Sequence, residues 1–162
     1  METHTLDHFL IDHPFFAGLP EDDVAFIAGC GRNMVFSPHD VIGRTGEPAD
    51  RFYVLRAGHV SIELLVPGRP PLTIQTLGEG DIFGWSWLIP PYVWKFDAHA
   101  IEKTRAIALE GKCLRAKCES DPRLGYELMR RFTEVMTQRL TATRLQLMDI
   151  YGDATSAPKA ND

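Results

Sequence analysis

The chain has 162 residues, 44% of them hydrophobic, and its 17 Lys and Arg stand against 22 Asp and Glu for a net charge of −5. That length suits one globular domain, or one domain with an appended helix, and leaves no room for a second full domain. The acidic balance excludes a broadly basic nucleic-acid surface; with no apolar run of about 18 residues and no basic-then-apolar leader, a soluble cytoplasmic chain without membrane association is expected.

Pro20 followed by Glu21, Asp22 and Asp23 loads acids onto a helix start, and "DDVAFIAGCG" then offers an apolar face before Gly29 and Gly31 end it. From Asn33 to about Leu109 the chain breaks into short apolar or alternating runs separated by turn residues: "NMVF", "DVIGR", "RFYVLRAG", "HVSIELLV", "PLTIQTLG", "DAHAIEKT" and "RAIALEG". That spacing predicts a mainly β domain, an antiparallel barrel or sandwich with flanking helices. Cys30, Cys113 and Cys118 make an odd count without a CxxC pair, so reduced thiols are expected. The spacing gives no metal site, although a turn could bring Cys113 toward Cys118.

One stretch stands out. "FGWSWLIPPYVWKFDAHA", residues 83 to 100, holds all three tryptophans and packs six aromatics into fourteen positions, beside Pro90 and Pro91 and between two predicted strands. The prolines stiffen this loop.

After Pro122 the sequence "RLGYELMRRFTEVMTQRLTATRLQLMDIYG" is free of proline and rich in Leu, Met, Arg and Glu, which predicts a helix of about 28 residues. Met129, Met136, Leu140, Thr143, Leu147 and Ile150 follow a heptad seam, with a polar step near Thr133. Such a stripe could pack on the domain's own sheets, but a helix roughly 40 Å long outruns strands of about five or six residues. Pairing between two copies is therefore expected. Arg123, Arg130, Arg131, Arg139 and Arg144, against Glu127 and Glu134, read as the solvated outer face. The organisation expected is a β domain with its N-terminal helix over 12–120, the long helix over 121–151, and a disordered tail over 152–162.

The stretch "TGEPADRFYVLRAGHVSI", then "LGEGDIFG", then "AHAIEKTRAIALEGKCL" and a long helix resembles the cyclic-nucleotide-binding domain, in particular the sensor half of catabolite-activator or Crp/Fnr-type regulators. The resemblance covers about residues 12 to 150 and rests on Gly46, Gly58, Gly78, Gly80 and Gly84 with "DRFYVLRAGHV" between them. It implies a β-jelly-roll (double-stranded β-helix) with flanking helices and a C-terminal dimerisation helix.

The ligand cassette implied by the resemblance covers Phe83, Gly84, Trp85, Ser86, Trp87, Lys95, Phe96, Asp97 and Ala98. In family members that bind cyclic nucleotides, a Glu holds the ribose and an Arg followed by Ser or Thr holds the phosphate. Here Trp85 stands at the Glu position, Phe96 at the Arg position and Asp97 at the Ser/Thr position. The cassette is thus degenerate, and cyclic AMP or cyclic GMP binding is not expected unless Lys95 takes over the phosphate. Either Trp85, Trp87, Tyr92, Trp94 and Phe96 fill a vestigial pocket, or they line a cavity for an apolar or aromatic ligand oriented by Ser86 or Lys95.

Some relatives sense gases through haem, but His99 alternates with Ala98 and Ala100 and should face outward, so no cofactor is expected. No catalytic motif is present, and "GEGDIFG" misses the dinucleotide fingerprint, so the chain is not expected to be an enzyme. The function expected is a dimeric sensor or adaptor that relays a state to a protein partner. The alternative is a transcription regulator acting on DNA directly or with a partner, although the eleven residues after Tyr151 are too few for a helix-turn-helix.

Overall fold

The structure, a computed structural model, describes the backbone of residues 2–155 and the side chains of residues 6–149. It divides into two units, Met1–Gly125 and Tyr126–Asp162.

The first unit opens with α1 (Glu2–Asp12) and α2 (Glu21–Gly29), followed by β1 (Gly31–Phe36), β2 (Val41–Gly43), β3 (Arg51–Ala57), β4 (Val60–Leu64), β5 (Leu72–Leu77) and β6 (Ile82–Phe83). A 3-10 turn at Trp85–Trp87 leads through the aromatic loop to β7 (Asp97–Ala100), β8 (Thr104–Glu110) and α3 (Gly111–Ser120). The strands form two four-stranded antiparallel sheets, β1-β8-β3-β6 and β2-β7-β4-β5, which is the jelly-roll. Helices α1 and α3 and the two-residue strand β6 are additions to the elements read from the sequence.

Burial explains the run patterns. In β3, Phe52, Tyr53, Val54 and Leu55 are all buried, as are Ala106, Ile107, Ala108 and Leu109 in β8. Tyr53, Leu55, Ala106 and Ala108 point between the sheets, where they join Phe36, Val60, Ile62, Leu77, Phe83, Trp94, Ala98 and Ala100. Alternation turns Phe52 to the opposite face, where Phe15 and Trp87 lie 6.4 and 5.6 Å from its ring centre. The central strands of this sheet are therefore covered on both faces and read as continuous apolar runs. In β7, Ala98 and Ala100 are buried between the sheets while His99 turns to the outer face near Glu63, the orientation that alternation predicts.

The cysteines correct the sequence reading. Cys30 and Cys113 form a disulfide with a Cα separation of 5.9 Å, and Cys118 is the free thiol. The two lie 83 residues apart, so spacing gave no sign of it. The pairing arises because the Glu110 N–H donates to the Cys30 carbonyl at 2.9 Å, setting the start of α3 beside the end of α2.

Helix α4 (Pro122–Thr155) has 34 residues and runs past the expected boundary at 151; residues 156–162 of the expected tail lie outside the described residues. Tyr126, Met129, Met136, Leu140 and Leu147 are exposed, with Met129 at 47%, Leu140 at 52% and Leu147 at 50%, whereas Leu128 and Phe132 are buried. Thr133 and Thr143 donate their hydroxyls to the Met129 and Arg139 carbonyls. The side chain of Ile150 lies outside the described residues. Arg123 and Arg130 keep 55% and 53% of their side chains exposed and Arg144 is exposed, in line with the expected solvated face, whereas Arg131 departs from it. Arg123 donates to Asp23 of α2 at 2.7 Å, Arg130 to Glu127 at 2.9 Å, and the side chain of Arg131 is only 13% exposed. Counting acids along the helix alone had overlooked Asp23.

Candidate functional site

Gly84 ends β6 at φ 91, a left-handed backbone that glycine adopts without steric cost, and it turns the chain into the 3-10 turn Trp85–Trp87. The loop that follows is stitched to residues 46–49. The Gly46 N–H donates to the Trp94 carbonyl at 2.8 Å, Trp94 N–H to the Glu47 carbonyl at 2.9 Å, and Ala49 N–H to the Tyr92 carbonyl at 2.8 Å. Tyr92 itself sits at φ 57, a conformation rare outside glycine, and the bond from Ala49 holds it there.

Within this frame the aromatics take three different environments. Trp94 is buried between the sheets, its ring centre 6.5 Å from Tyr53 and 6.3 Å from Phe83. A β-carbon on Gly43 would overlap the Trp94 ring, so glycine in β2 is what admits the indole. Trp87 is fully buried on the other face of the first sheet, stacked on Phe52. Gly111, at the start of α3, lies so close that a β-carbon there would approach Trp87 Cβ to 2.9 Å. Trp85 and Phe96 meet edge to face at 5.6 Å, both half-buried.

The polar members are equally dispersed. Ser86 is buried in the 3-10 turn and Lys95 is exposed. Asp97 turns its carboxylate to the loop after β2, where Oδ1 accepts from Thr45 N–H at 2.7 Å and from Thr45 Oγ1 at 2.8 Å. Phe83 and Ala98 line the space that Trp94 occupies. The nine cassette residues thus do not share one surface: Phe83, Ala98 and the partly buried Phe96 pack with the core between the sheets, Trp87 lies against Phe52 and Lys95 is exposed, while Trp94, buried in that core, carried no special signal beyond its place among the aromatics.

One cation reaches the loop from α3. Arg115 donates through Nη1 to the Trp87 carbonyl, and its guanidinium lies 4.3 Å from the centre of the Tyr92 ring. Sequence reading missed Arg115, because nothing in its spacing joins it to residues 85–92. At the base of the roll, burial pushes the Tyr53 phenol above the ordinary tyrosine range, while the Arg51 guanidinium pulls it the other way.

Two antiparallel sheets closed over an aromatic core, with a glycine-to-3-10-turn cassette and a long C-terminal helix, define a jelly-roll domain. The family model of the cyclic nucleotide-binding domain matches residues 33–121, and the chain belongs to that family. It is 25% identical over 145 residues to a CRP-like cAMP-activated global transcriptional regulator of Mycobacterium tuberculosis, covering 90% of this chain. The chain spans 63% of the length of that relative. Among solved structures, a Geobacter metallireducens protein named as a cyclic nucleotide-binding protein is 27% identical with a TM-score of 0.73, covering 86% of this chain and 98% of its own. The sensor domain of the transcriptional regulator DNR from Pseudomonas aeruginosa shares the fold at 20% identity and a TM-score of 0.71, with 87% and 95% covered. No described helix is long and apolar enough to cross a membrane.

Proposed function

We propose that this cyclic-nucleotide-binding-like regulatory domain works as a dimeric sensor or adaptor that does not use cyclic AMP or cyclic GMP as its effector. The observation that carries the reading is Trp94, buried between the sheets over Gly43 and beside Tyr53, Phe83 and Ala98. An indole in that position fills space between the sheets and so closes it to a ligand. The electrostatics point the same way. Phe96 offers no charge to a phosphate, Trp85 none to a ribose hydroxyl, and Asp97 adds a negative charge already bound to Thr45. Two missing charge-assisted bonds at about 1.5–3 kcal/mol each weaken binding by about 3–6 kcal/mol, or two to four decades.

Isothermal titration of the full chain with cyclic AMP and with cyclic GMP tests the reading. No binding tighter than about millimolar is expected; micromolar binding overturns it. Dimerisation is supported by the exposed stripe Tyr126, Met129, Met136, Leu140 and Leu147, whose intervening threonines satisfy their hydroxyls within the helix. The proposed output is a state relayed through this helix to a protein partner.

A second reading, transcription control on DNA directly or with a partner, draws its support from the Mycobacterium tuberculosis relative. Sequence-selective retention of a duplex at about 0.15 M salt would favour it over the adaptor reading.

A further inference from the structure

We propose that the Cys30–Cys113 pair is a reversible thiol–disulfide switch whose oxidised form fixes the first turn of α3 and, through Arg115, holds the aromatic loop. The inference does not depend on which effector the roll accepts, and its test involves no nucleotide.

Helix α3 buries few of its own side chains, and beside Arg115 its Lys117 reaches α2, with Nζ 5.1 Å from the centre of the Phe26 ring. Of its ten residues only Gly111 and Leu114 are buried, and its N-cap Glu110 makes no side-chain capping bond. The disulfide adds a covalent restraint within the first turn to the backbone bond from Glu110 N–H to the Cys30 carbonyl that already sets α3 beside the end of α2. Two residues beyond Cys113, Arg115 covers the Tyr92 ring and donates to the Trp87 carbonyl. A restraint at Cys113 is thereby one short step from the loop. The surrounding framework has noncovalent ties of its own: Glu110 N–H to Cys30 carbonyl at 2.9 Å, Gly111 N–H to Asp50 carbonyl at 2.7 Å, and Arg123 to Asp23 at 2.7 Å. Reduction should free α3 locally and leave the roll folded.

The two residues differ in exposure: Cys30 is buried, while Cys113 is partly exposed. An incoming thiolate, such as that of glutathione, therefore attacks Cys113 Sγ. The protein S–S bond breaks, Cys30 leaves as thiolate and is protonated. A second glutathione thiolate then attacks the glutathione sulfur of the mixed disulfide, releasing Cys113 and forming glutathione disulfide. Oxidation is the reverse, with glutathione disulfide as oxidant, two glutathione thiols released and the two protein thiol protons passing to them. Cys118 does not compete. Five positions along the helix it faces away from Cys113, and burial, with Asp121 and Glu119 nearby, raises its pKa and keeps it a thiol.

The full-length protein is equilibrated natively with excess glutathione disulfide or with excess glutathione, quenched, unfolded and alkylated. Intact mass should show one alkyl group on the first sample and three on the second. Three groups in both samples, or one in both, would overturn the switch. The intrinsic tryptophan emission of the folded protein should differ between the two forms. Cys113→Ser should give the reduced-form spectrum under both conditions, and Arg115→Ala should keep the one-to-three alkylation change while losing the spectral difference. An identical wild-type spectrum in both redox states would refute the link to the loop. That wild-type comparison stands even if Cys113→Ser fails to fold.

Discussion

The aromatic loop and the long helix handle apolar side chains in opposite ways. In the loop, two of the three tryptophans that mark the sequence are divided between interior surfaces, Trp94 between the sheets and Trp87 against Phe52, while Trp85 is half-buried against Phe96. On α4 the apolar stripe from Tyr126 to Leu147 stays exposed among the described residues. The first arrangement buries apolar surface within the chain and the second leaves it exposed. The proposed function rests on this contrast: an interior filled by the chain's own aromatics and a helix whose apolar stripe is left exposed.

The sharpest way to break this contrast is to charge the helix. Leu140→Arg should convert a dimer to a monomer in light scattering, because each copy would bury an unpaired charge costing about 3–5 kcal/mol. A dimer that survives the substitution, or a monomeric wild type, removes the seam. In the loop the corresponding change is Trp94→Ala, expected to cost about 3–5 kcal/mol in urea unfolding without altering the oligomeric state. A loss below about 1 kcal/mol would mean that the roll does not depend on the indole. Gly43→Ala tests the same contact from the other side. Because the added methyl collides with the Trp94 ring, a loss of about 1–3 kcal/mol is expected, and combining it with Trp94→Ala should recover part of that loss.

The smallest effect concerns pH. Tyr53 has its pKa raised by burial between the sheets. A group held protonated in the fold contributes stability that is complete below the unfolded pKa of about 10 and is lost as pH rises through the folded value. Urea midpoints measured at about pH 8 and about pH 11 should fall further for the wild type than for Tyr53→Phe. Parallel falls would show that the Tyr53 hydroxyl is hydrated, and the packing around Trp94 looser than described.

The sequence by itself determined the β-rich middle, the short helix at residues 21–29 and the long C-terminal helix. Period, turn residues and helix formers are local signals that survive in any tertiary context. Glycine positions also carried the family resemblance, since a left-handed turn such as Gly84 constrains one residue at a time. Tertiary structure decided what those signals could not. Trp94 and Trp87 stand seven residues apart in one aromatic run, yet opposite faces of the same sheet claim them, because the 3-10 turn and the stitching to residues 46–49 reset the alternation between them. Cys30 and Cys113, Asp23 and Arg123, and Arg115 and Tyr92 meet only because β8 delivers α3 and the start of α4 to the side of α2 and the loop. Contacts between residues so far apart leave no local trace: each depends on where the sheets place two chain segments, and a single sequence records only the segments.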